Sequence, residues 1–326
     1  MKITAKDVAR RCNTSTAAVS RAFRPESSVA PDVRSRILET SREMGYAPPQ
    51  LRRSGPRRIR ALSLVVGDIT NPFYPAILDR FATEISKQGR DMAVHSVPPG
   101  QTVDSVLPQV FRTRTDAVVV TSANLSSRLA RECKLRGIPV VLFNRVQADA
   151  TISAVCTDNY NGGRMVAEHL ANRGCQTIAF IGGIRDTSTH LERRRGFRDA
   201  LNDRGMKVAY EGAGQYDYGV SRTFADLLFR DPKRPDGVFC ANDITAIAAI
   251  DSAKEAGLVP GRDVAIIGFD DVPMAAWASY KLTTVRQKTN QMVRNTLDLI
   301  EETVLDPDAQ GSVRMVRGEL ILRESG

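Results

Sequence analysis

The strongest constraint on the fold is a repeat of short, wholly apolar segments that alternate with helical segments from residue 61 onward. Apolar segments at 61–66, 117–120 and 139–143 are separated by stretches such as 72–88, whose apolar residues recur at helical spacing. Strands that are apolar throughout are typical of a parallel sheet with helices on both faces. The pattern therefore predicts a doubly wound α/β lobe.

The same cycle is repeated from a strand at 152–156 to a strand at 264–268, which predicts a second doubly wound lobe. The final segment carries a helix at 288–304 and two strands near 312–316 and 319–322. We expect this segment to return through both lobes and complete them.

Residues 6–23 predict two short helices around a tight turn, which is a helix-turn-helix. Apolar residues at helical spacing run up to Asn13, a residue type that tolerates a left-handed backbone. A second helix at 16–23 follows a hydroxyl-rich N-cap, and a third is expected at 31–44. The outer face of the second helix carries groups suited to reading a major groove, namely Thr16, Ala17, Ser20 and Arg21. Taken alone, these residues fit a helical hairpin without a DNA role equally well.

The distribution of charge favours the DNA-binding interpretation. Residues 1–60 carry 14 Lys and Arg against 5 Asp and Glu, so their net charge of +9 equals that of the entire chain. The rest of the chain is neutral overall. A polyanionic partner explains basic charge that is concentrated on a small head.

Four segments of the head form a specific combination: ITAKDVA at 3–9, STAAVSR at 15–21, VR at 33–34 and GYAP at 45–48. This combination resembles the head of the lactose repressor (LacI/GalR) family of bacterial transcription regulators. The resemblance implies a homodimer that reads duplex operator DNA, with Thr16, Ala17 and Arg21 at the base-contacting positions. Asn13 stands where the family usually has glycine. The predicted domains are a head (1–48), a basic linker (49–60) and an effector-binding and dimerisation body (61–326).

The linker is rich in proline and arginine and has little to bury. In the family this region is a hinge helix whose leucine wedge enters the minor groove. Here Gly55 occupies the expected leucine position and Pro56 follows it, which disfavours a helix. We expect Leu51 to act as a displaced wedge, with Arg52 and Arg53 on phosphates or in a narrow minor groove. A disordered tether is the alternative.

Polar and aromatic side chains follow the carboxyl ends of the predicted strands, where open parallel sheets bind ligands. They are Asp68, Asn71, Phe73, Tyr74, Asn144, Arg145, Arg185, Asp186, Thr187, Thr189, Asn242, Asp243, Asp270 and Asp271. Carboxylates, amides, arginines and aromatic rings around one cleft would suit a polyhydroxylated ligand. Taken singly, each residue is explained more simply as a helix cap, a turn or part of the core.

Motifs of the body, among them 158–163 and 268–271, resemble the effector-binding core of the same family, which is similar to periplasmic sugar-binding proteins. The resemblance implies a periplasmic-binding-protein-like body with a sugar or sugar-acid effector between its lobes. The implied effector contacts are Phe73, Tyr74, Arg145, Thr189, Arg193, Tyr216, Asn242 and Asp270. Arg145, Arg185 and Arg193 favour an anionic sugar over a neutral one, unless nearby carboxylates neutralise them.

An enzyme and a transport protein are the alternatives. The sequence has neither a GxGxxG after the first strand nor a P-loop, and its histidines, His95, His169 and His190, are far apart. A sugar-binding transport protein would not need the basic head. We therefore expect a repressor without catalytic residues, metal or cofactor. A sugar-binding protein or carbohydrate enzyme with a vestigial head remains the alternative function.

The five cysteines are odd in number and form no CxxC pair, which fits a reducing cytoplasm. No apolar run approaches the roughly 20 residues needed to span a bilayer. The expected location is the cytoplasm, and the expected partners are operator DNA, a carbohydrate effector and a second copy of the chain. Whether dimers pair into tetramers is left open by the sequence.

Overall fold

The structure is a computed structural model, and it describes residues 3–23, 29–44, 46, 59–98, 100–121, 127–147, 151–307 and 309–326. The chain divides into two compact units, Met1–Arg58 and Ile59–Gly326. None of the described helices is both long and apolar enough to cross a membrane.

The first unit contains the three predicted helices, α1 (Ala5–Arg11), α2 (Thr16–Ala22) and α3 (Pro31–Glu43). Asn13 has a φ of 49°, which confirms the predicted left-handed turn between α1 and α2. Ser15 caps α2, because its hydroxyl accepts a hydrogen bond of 3.1 Å from the amide of Ala18. The helices pack around a small apolar core formed by Val8, Ala9, Cys12, Val19, Ala22, Ile37 and Tyr46.

The second unit is an α/β body. Its elements in chain order are β1 (Ala61–Val66), α4 (Phe73–Lys87), β2 (Asp91–Ser96), α5 (Leu107–Arg112), β3 (Ala117–Val120), α6 (Ser127–Leu135), β4 (Val140–Phe143), β5 (Ser153–Thr157), α7 (Asn159–Asn172), β6 (Ile178–Gly182), α8 (Ser188–Asn202), β7 (Val208–Ala213), α9 (Tyr218–Arg230), β8 (Gly237–Cys240), α10 (Asp243–Glu255), β9 (Ala265–Asp270), β10 (Thr283–Arg286), α11 (Thr289–Leu305), β11 (Val313–Val316) and β12 (Glu319–Ile321). Short 3-10 helices lie at Val103–Val106 and Pro273–Ala276.

The strands form two six-stranded sheets, in the orders β11-β5-β4-β3-β1-β2 and β12-β10-β9-β8-β6-β7. Neighbouring strands are parallel, except that β12 is antiparallel to β10. Each sheet defines one lobe, and the chain passes between the lobes at 157–159, 286–289 and 316–319. The final segment completes both sheets, as predicted. The prediction of two doubly wound, parallel-sheet lobes is confirmed.

Both faces of each sheet are buried at its central strands, which is why strands such as β3, β4 and β8 are apolar throughout. In β1, Leu62 and Leu64 pack against α4 and α11, while Val65 packs against α5 and α6 on the opposite face. In β6, Phe180 packs against α7 and α8, and Ile181 packs against α9 and α10. Successive side chains of one strand therefore enter different cores.

Two strands differ from the expectation. The sequence groups β5 with the second cycle, but β5 lies in the first sheet between β4 and β11. The alternation of strand and helix continues unbroken there and so gives no sign of a lobe boundary. The sequence also gives no signal for β7, because this edge strand alternates between half-buried residues such as Tyr210 and exposed ones such as Glu211.

Helices α7 and α8 lie so close together that two glycines are required. A Cβ on Gly163 would overlap the carbonyl oxygen of Arg193, and a Cβ on Gly196 would overlap that of Tyr160. These atoms are backbone and cannot move aside independently, so a methyl group would force the helices apart. The contact holds Arg193 beside the start of α7.

We expect Gly196→Ala to destabilise the body by about 1–3 kcal/mol or more, because the added methyl group overpacks this contact. Gly219→Ala is the matched control, since Gly219 is also helical and its Cβ would lie 3.4 Å from Oδ1 of Asp217, which is ordinary van der Waals contact. Urea unfolding followed by fluorescence of Trp277, the single tryptophan, measures both. Equal unfolding midpoints in the two variants would contradict the steric argument.

Candidate functional site

Side chains from both lobes meet around the phenol of Tyr74. Tyr74 lies in the first turn of α4 in the first lobe, and Asn144 and Arg145 follow β4 in the same lobe. Burial raises the pKa of Tyr74, and the nearby charge of Arg145 opposes this effect, while Asp270 and Tyr216 of the second lobe add to it. Asn144 also forms a side-chain hydrogen bond with the phenol. We call these five residues the interlobe cluster.

The lobes are closed over this cluster. Tyr74, Arg145 and Asp270 are buried, with relative exposures of 7%, 9% and 7%. A hydrogen bond of 3.0 Å joins the amide of Val146, in the first lobe, to the hydroxyl of Ser188, at the start of α8. Val272 of the second lobe packs into the core of the first lobe, which adds an apolar contact to this closure.

Arg193 is anchored within the protein on all sides. Its Nε donates to the side-chain oxygen of Asn159 at 2.8 Å, and its Nη1 donates to the carbonyl oxygen of Ala241 at 2.5 Å. Its Nη2 lies 3.5 Å from Oδ1 of Asp270, and the guanidinium lies 3.5 Å from the ring centre of Phe269. Arg193 is therefore paired with the carboxylate of Asp270. Because this carboxylate neutralises the guanidinium, the charge of Arg193 does not favour an anionic ligand.

Asp270 is held by two partners on one oxygen. Oδ1 accepts from Arg193 and, at 2.6 Å, from Nε2 of Gln287. Within the described part of the chain, Oδ2 receives no hydrogen bond. Oδ2 is therefore held in a fixed orientation and can still accept a hydrogen bond, as is required of a group that binds a ligand hydroxyl.

Tyr216 and Thr189 extend the cluster along the second lobe. The hydroxyls of the two residues lie 3.0 Å apart. The ring of Tyr216 occupies the space where a Cβ of Gly183 would be, so it packs directly on the backbone at the end of β6. Tyr216 has a φ of 61°, which is a strained conformation for a residue of this size.

Two amide groups at the predicted site are buried without a hydrogen-bond partner among the described residues: Oδ1 of Asn144 and Nδ2 of Asn242. Oδ1 of Asn242 caps α10 by accepting from the amide of Thr245 at 3.1 Å. Asn242 therefore does act as the predicted helix cap, but the cap uses only its side-chain oxygen and leaves Nδ2 without a partner among the described residues. Unsatisfied buried polar atoms are rare in folded proteins and point to a ligand.

The remaining predicted residues lie in different surroundings. Phe73 packs edge-on against Tyr74, with ring centres 5.3 Å apart, and belongs to the first-lobe core. Arg185 is exposed rather than part of the cluster. In the head, Thr16, Ala17 and Arg21 are exposed and Ser20 is half-buried, as expected for the outer face of α2. The linker residues Leu51, Arg52 and Arg53 lie outside the described residues.

Two residues of the site, Asn159 and Gln287, are missing from the predicted contacts, and Asp243, predicted among the side chains that follow the strands, has a supporting role. Asn159 and Gln287 lie where the chain passes between the lobes, and both support the Arg193 and Asp270 pair. Gln287 directly follows β10, so the rule of inspecting strand ends would have found it. Asp243 holds the loop after β9, because its carboxylate accepts from the amide of Val272 at 2.8 Å and from the hydroxyl of Thr284 at 2.5 Å.

Burial raises the pKa of Asp243 and that of Asp270. The carboxylate of Asp270 raises the pKa of Asp243 further, whereas Arg193 partly offsets the effect of burial on Asp270. The folded state therefore binds protons at these groups more readily than the unfolded state does. Their contribution to stability is greatest below the ordinary pKa of an aspartate and is lost as pH rises through the raised pKa.

We expect Asp243→Asn to flatten the fall in stability of the body as pH rises from 5 to 8, because the variant removes a carboxyl that is costly to ionise. Urea unfolding followed by Trp277 fluorescence at several pH values measures the slope. Asp298→Asn, at an exposed position of α11, is the control and should keep the wild-type slope. The same slope in Asp243→Asn and the control would show that Asp243 does not titrate in this range.

Comparison with known protein families identifies both units. The family described as bacterial regulatory proteins, lacI family, matches residues 4–49. The periplasmic binding protein-like domain matches residues 167–326. The two matches cover the three-helix head and most of the second lobe with the final segment.

Relatives and solved structures match along the whole chain. The transcriptional repressor PurR of Aliivibrio fischeri is 27% identical, over 99% of this chain and 98% of that protein. The probable transcriptional repressor ExuR of Bacillus subtilis is 25% identical over the same shares. The structure of the transcriptional regulator CelR with cellobiose has a TM-score of 0.74 and 26% identity and covers 100% of both chains.

A dimer of the Lac repressor bound to operator and an anti-inducer has a TM-score of 0.73 at 19% identity, covers 100% of this chain and 99% of that one, and shows the shared fold. Head, body and full-length relatives agree. The chain therefore combines a lacI-family helix-turn-helix head with a periplasmic-binding-protein-like body, which is the organisation of a ligand-controlled DNA-binding regulator.

Proposed function

We propose that this regulator is a repressor whose affinity for operator DNA is set by a small carbohydrate bound at the interlobe cluster. The observation that carries the proposal is the cluster itself, where side chains of both lobes meet beside buried amide atoms that have no hydrogen-bond partner among the described residues. The similar regulator CelR has been solved with cellobiose, which favours a carbohydrate. A polyhydroxylated ligand supplies the donors and acceptors that these atoms require.

Each residue of the site has a role in this proposal. Tyr74 and Tyr216 pack on the sugar ring, while Asn242 and Oδ2 of Asp270 bind its hydroxyls. Thr189 orients the hydroxyl of Tyr216 from 3.0 Å. Phe73 and Arg193 do not contact the ligand directly in this proposal. Phe73 packs against Tyr74, and Arg193 fixes the position of Asp270.

Arg145 decides between a neutral sugar and a sugar acid. Of the three arginines first considered, Arg193 is paired with Asp270, and Arg185 is exposed. Arg145 is buried in the interlobe cluster, within electrostatic reach of Tyr74. A ligand carboxylate would bind the guanidinium of Arg145 in a charge-assisted hydrogen bond, which favours a sugar acid.

The coupling between ligand and DNA follows from closure. A ligand that contacts both lobes stabilises the closed body, and a change in body conformation changes the affinity of the heads for the operator. Effector and operator must then alter each other's binding by the same factor. Two heads are needed for the two half-sites of an operator, so the acting form is a homodimer, and its place of action is the cytoplasm, where the operator lies.

The alternative of a carbohydrate enzyme with a vestigial head has less support. The carboxylate at the centre of the site, Asp270, is tied to Arg193 and Gln287 through Oδ1, an arrangement that holds a hydroxyl rather than transfers a proton. The relatives PurR and ExuR are repressors. We propose that the chain has no catalytic activity.

We expect Arg21→Ala to weaken binding to operator DNA by about 1–3 kcal/mol and to relax base selection at one position, because Arg21 is exposed on α2. The operator is first selected from a random duplex library with the wild-type protein. Fluorescence anisotropy at two salt concentrations then measures both proteins. Arg262→Ala, an exposed arginine of the second lobe, is the control and should bind as the wild type does. Unchanged affinity in Arg21→Ala would remove α2 from the DNA interface.

We expect Asn242→Ser to weaken the effector at least about tenfold, because serine keeps the N-cap of α10 but lacks the buried amide donor. Arg145→Ala should lose sugar acids while retaining neutral sugars. A panel of sugars and sugar acids is screened by thermal shift, and hits are measured by calorimetry.

The same protein samples are assayed for operator binding with and without each hit. A ligand that binds Asn242→Ser as tightly as the wild type would place the effector elsewhere. Turnover of a bound sugar would overturn the proposal in favour of an enzyme.

A further inference from the structure

A second cavity lies on the outer side of the second lobe, apart from the interlobe cluster. It has a volume of about 350 Å³ and opens between the first turns of α8 and the edge strand β7. Its lining residues are Arg185, His190, Leu191, Arg194, Glu211, Gly212 and Ala213. The volume lies within the range of small-molecule sites in proteins. We call it the outer cavity.

His190 contributes a buried donor to the outer cavity. The residue is 6% exposed, and its Nδ1 accepts a hydrogen bond of 3.0 Å from the amide of Gly183. Burial lowers the pKa of His190, with Arg194 as the next cause, so the imidazole is neutral near pH 7. With Nδ1 as acceptor, the single proton lies on Nε2, which has no hydrogen-bond partner among the described residues.

The charges around the outer cavity favour an anion. Its carboxylate, Glu211, is already paired with both Arg194 and Arg198. Arg185 is exposed and forms no ion pair within the described part of the chain. One guanidinium therefore remains available beside a neutral histidine donor.

The edge of the sheet supplies a further donor. The amide of Gly214 donates to the carbonyl oxygen of Gly182 in β6 at 2.6 Å. Because successive amides of a strand point to opposite sides, the amide of Ala213 points away from β6, to the open edge where the outer cavity lies. Arg185, His190 and Ala213 thus line one cavity from the loop after β6, from α8 and from β7.

We propose that the outer cavity is a second ligand site, which binds the phosphate group of a small phosphorylated metabolite. Arg185 pairs with the phosphate, and Nε2 of His190 and the amide of Ala213 donate to its oxygens. The carboxylate of Glu211, held by two arginines, accepts a hydroxyl of the same molecule. This site is separate from the proposed carbohydrate site and does not depend on it.

The position of His190 links the two sites. Its ring accepts from Gly183, and the backbone of Gly183 is the surface on which Tyr216 packs. Thr189, whose hydroxyl lies 3.0 Å from that of Tyr216, directly precedes His190 in α8. A phosphate that shifts the imidazole of His190 would therefore also displace Thr189 and Tyr216 at the proposed effector site.

The three histidines make a direct test possible. The full-length protein is labelled with ¹⁵N-histidine, and inorganic phosphate is titrated at constant ionic strength while the ring signals are recorded. We expect a saturable shift of His190 in the wild type, with His95 and His169 unmoved. Arg185→Gln should weaken the apparent affinity at least about tenfold, as expected for loss of a charged hydrogen bond. Arg204→Gln, beyond the other end of α8, is the matched control and should behave as the wild type.

A second variant separates the outer cavity from the interlobe cluster. The His190 shift should persist in Arg145→Ala if phosphate binds in the outer cavity. A shift that is lost in Arg145→Ala but kept in Arg185→Gln would place the phosphate between the lobes and overturn the proposal. Absence of a saturable shift in the wild type would also overturn it, and neither result bears on operator or carbohydrate binding.

Discussion

The anchoring of one buried guanidinium organises the functional edge of the second lobe. Arg193 joins the start of α7, the end of β8 and the end of β9 through Asn159, Ala241 and Asp270. Breaking a buried charged network by removing one partner is strongly destabilising, because the other charge is left without compensation. The close crossing of α7 and α8 at Gly163 and Gly196 brings the guanidinium within reach of these partners. The geometry of the proposed effector site therefore depends on a contact between helices, and only indirectly on the sheet.

Strained backbone and unsatisfied polar groups occur together at the site. Asn144, Tyr216 and Asp270 all have positive φ angles, of 66°, 61° and 124°. Such conformations cost on the order of 1–3 kcal/mol each in residues other than glycine. They occur where the lobes meet, beside buried amide atoms that find no hydrogen-bond partner in the described part of the chain. A ligand that satisfies these atoms recovers part of that cost, which makes closure of the body sensitive to occupancy.

Much of the fold could be predicted because its rules are local. The apolar runs that become β1, β3 and β4 are continuous since both faces of the sheet are buried, and Asn13 marks the turn of the head by its backbone tolerance alone. β7 escapes prediction because an edge strand needs no apolar run. The partners of the site escape it for another reason: Gln287 lies 17 residues from Asp270 in sequence, and the pairing of Arg193 depends on three separate strand and helix ends. Sequence position shows which residues reach the cleft, but it does not show which of them already form hydrogen bonds or ion pairs within the protein.

The route of the chain through the body affects how the protein is made. The first sheet has β11 as its edge strand, and β11 comes after every strand of the second sheet except β12. During synthesis the edge of β5 stays open until residues 313–316 leave the ribosome, 159 residues after their partners in β5. The lobe that is begun first is thus closed almost last, with an unpaired strand edge available to other chains in the interval. The pairing of β5 with β11 is therefore among the last contacts that the growing chain can form.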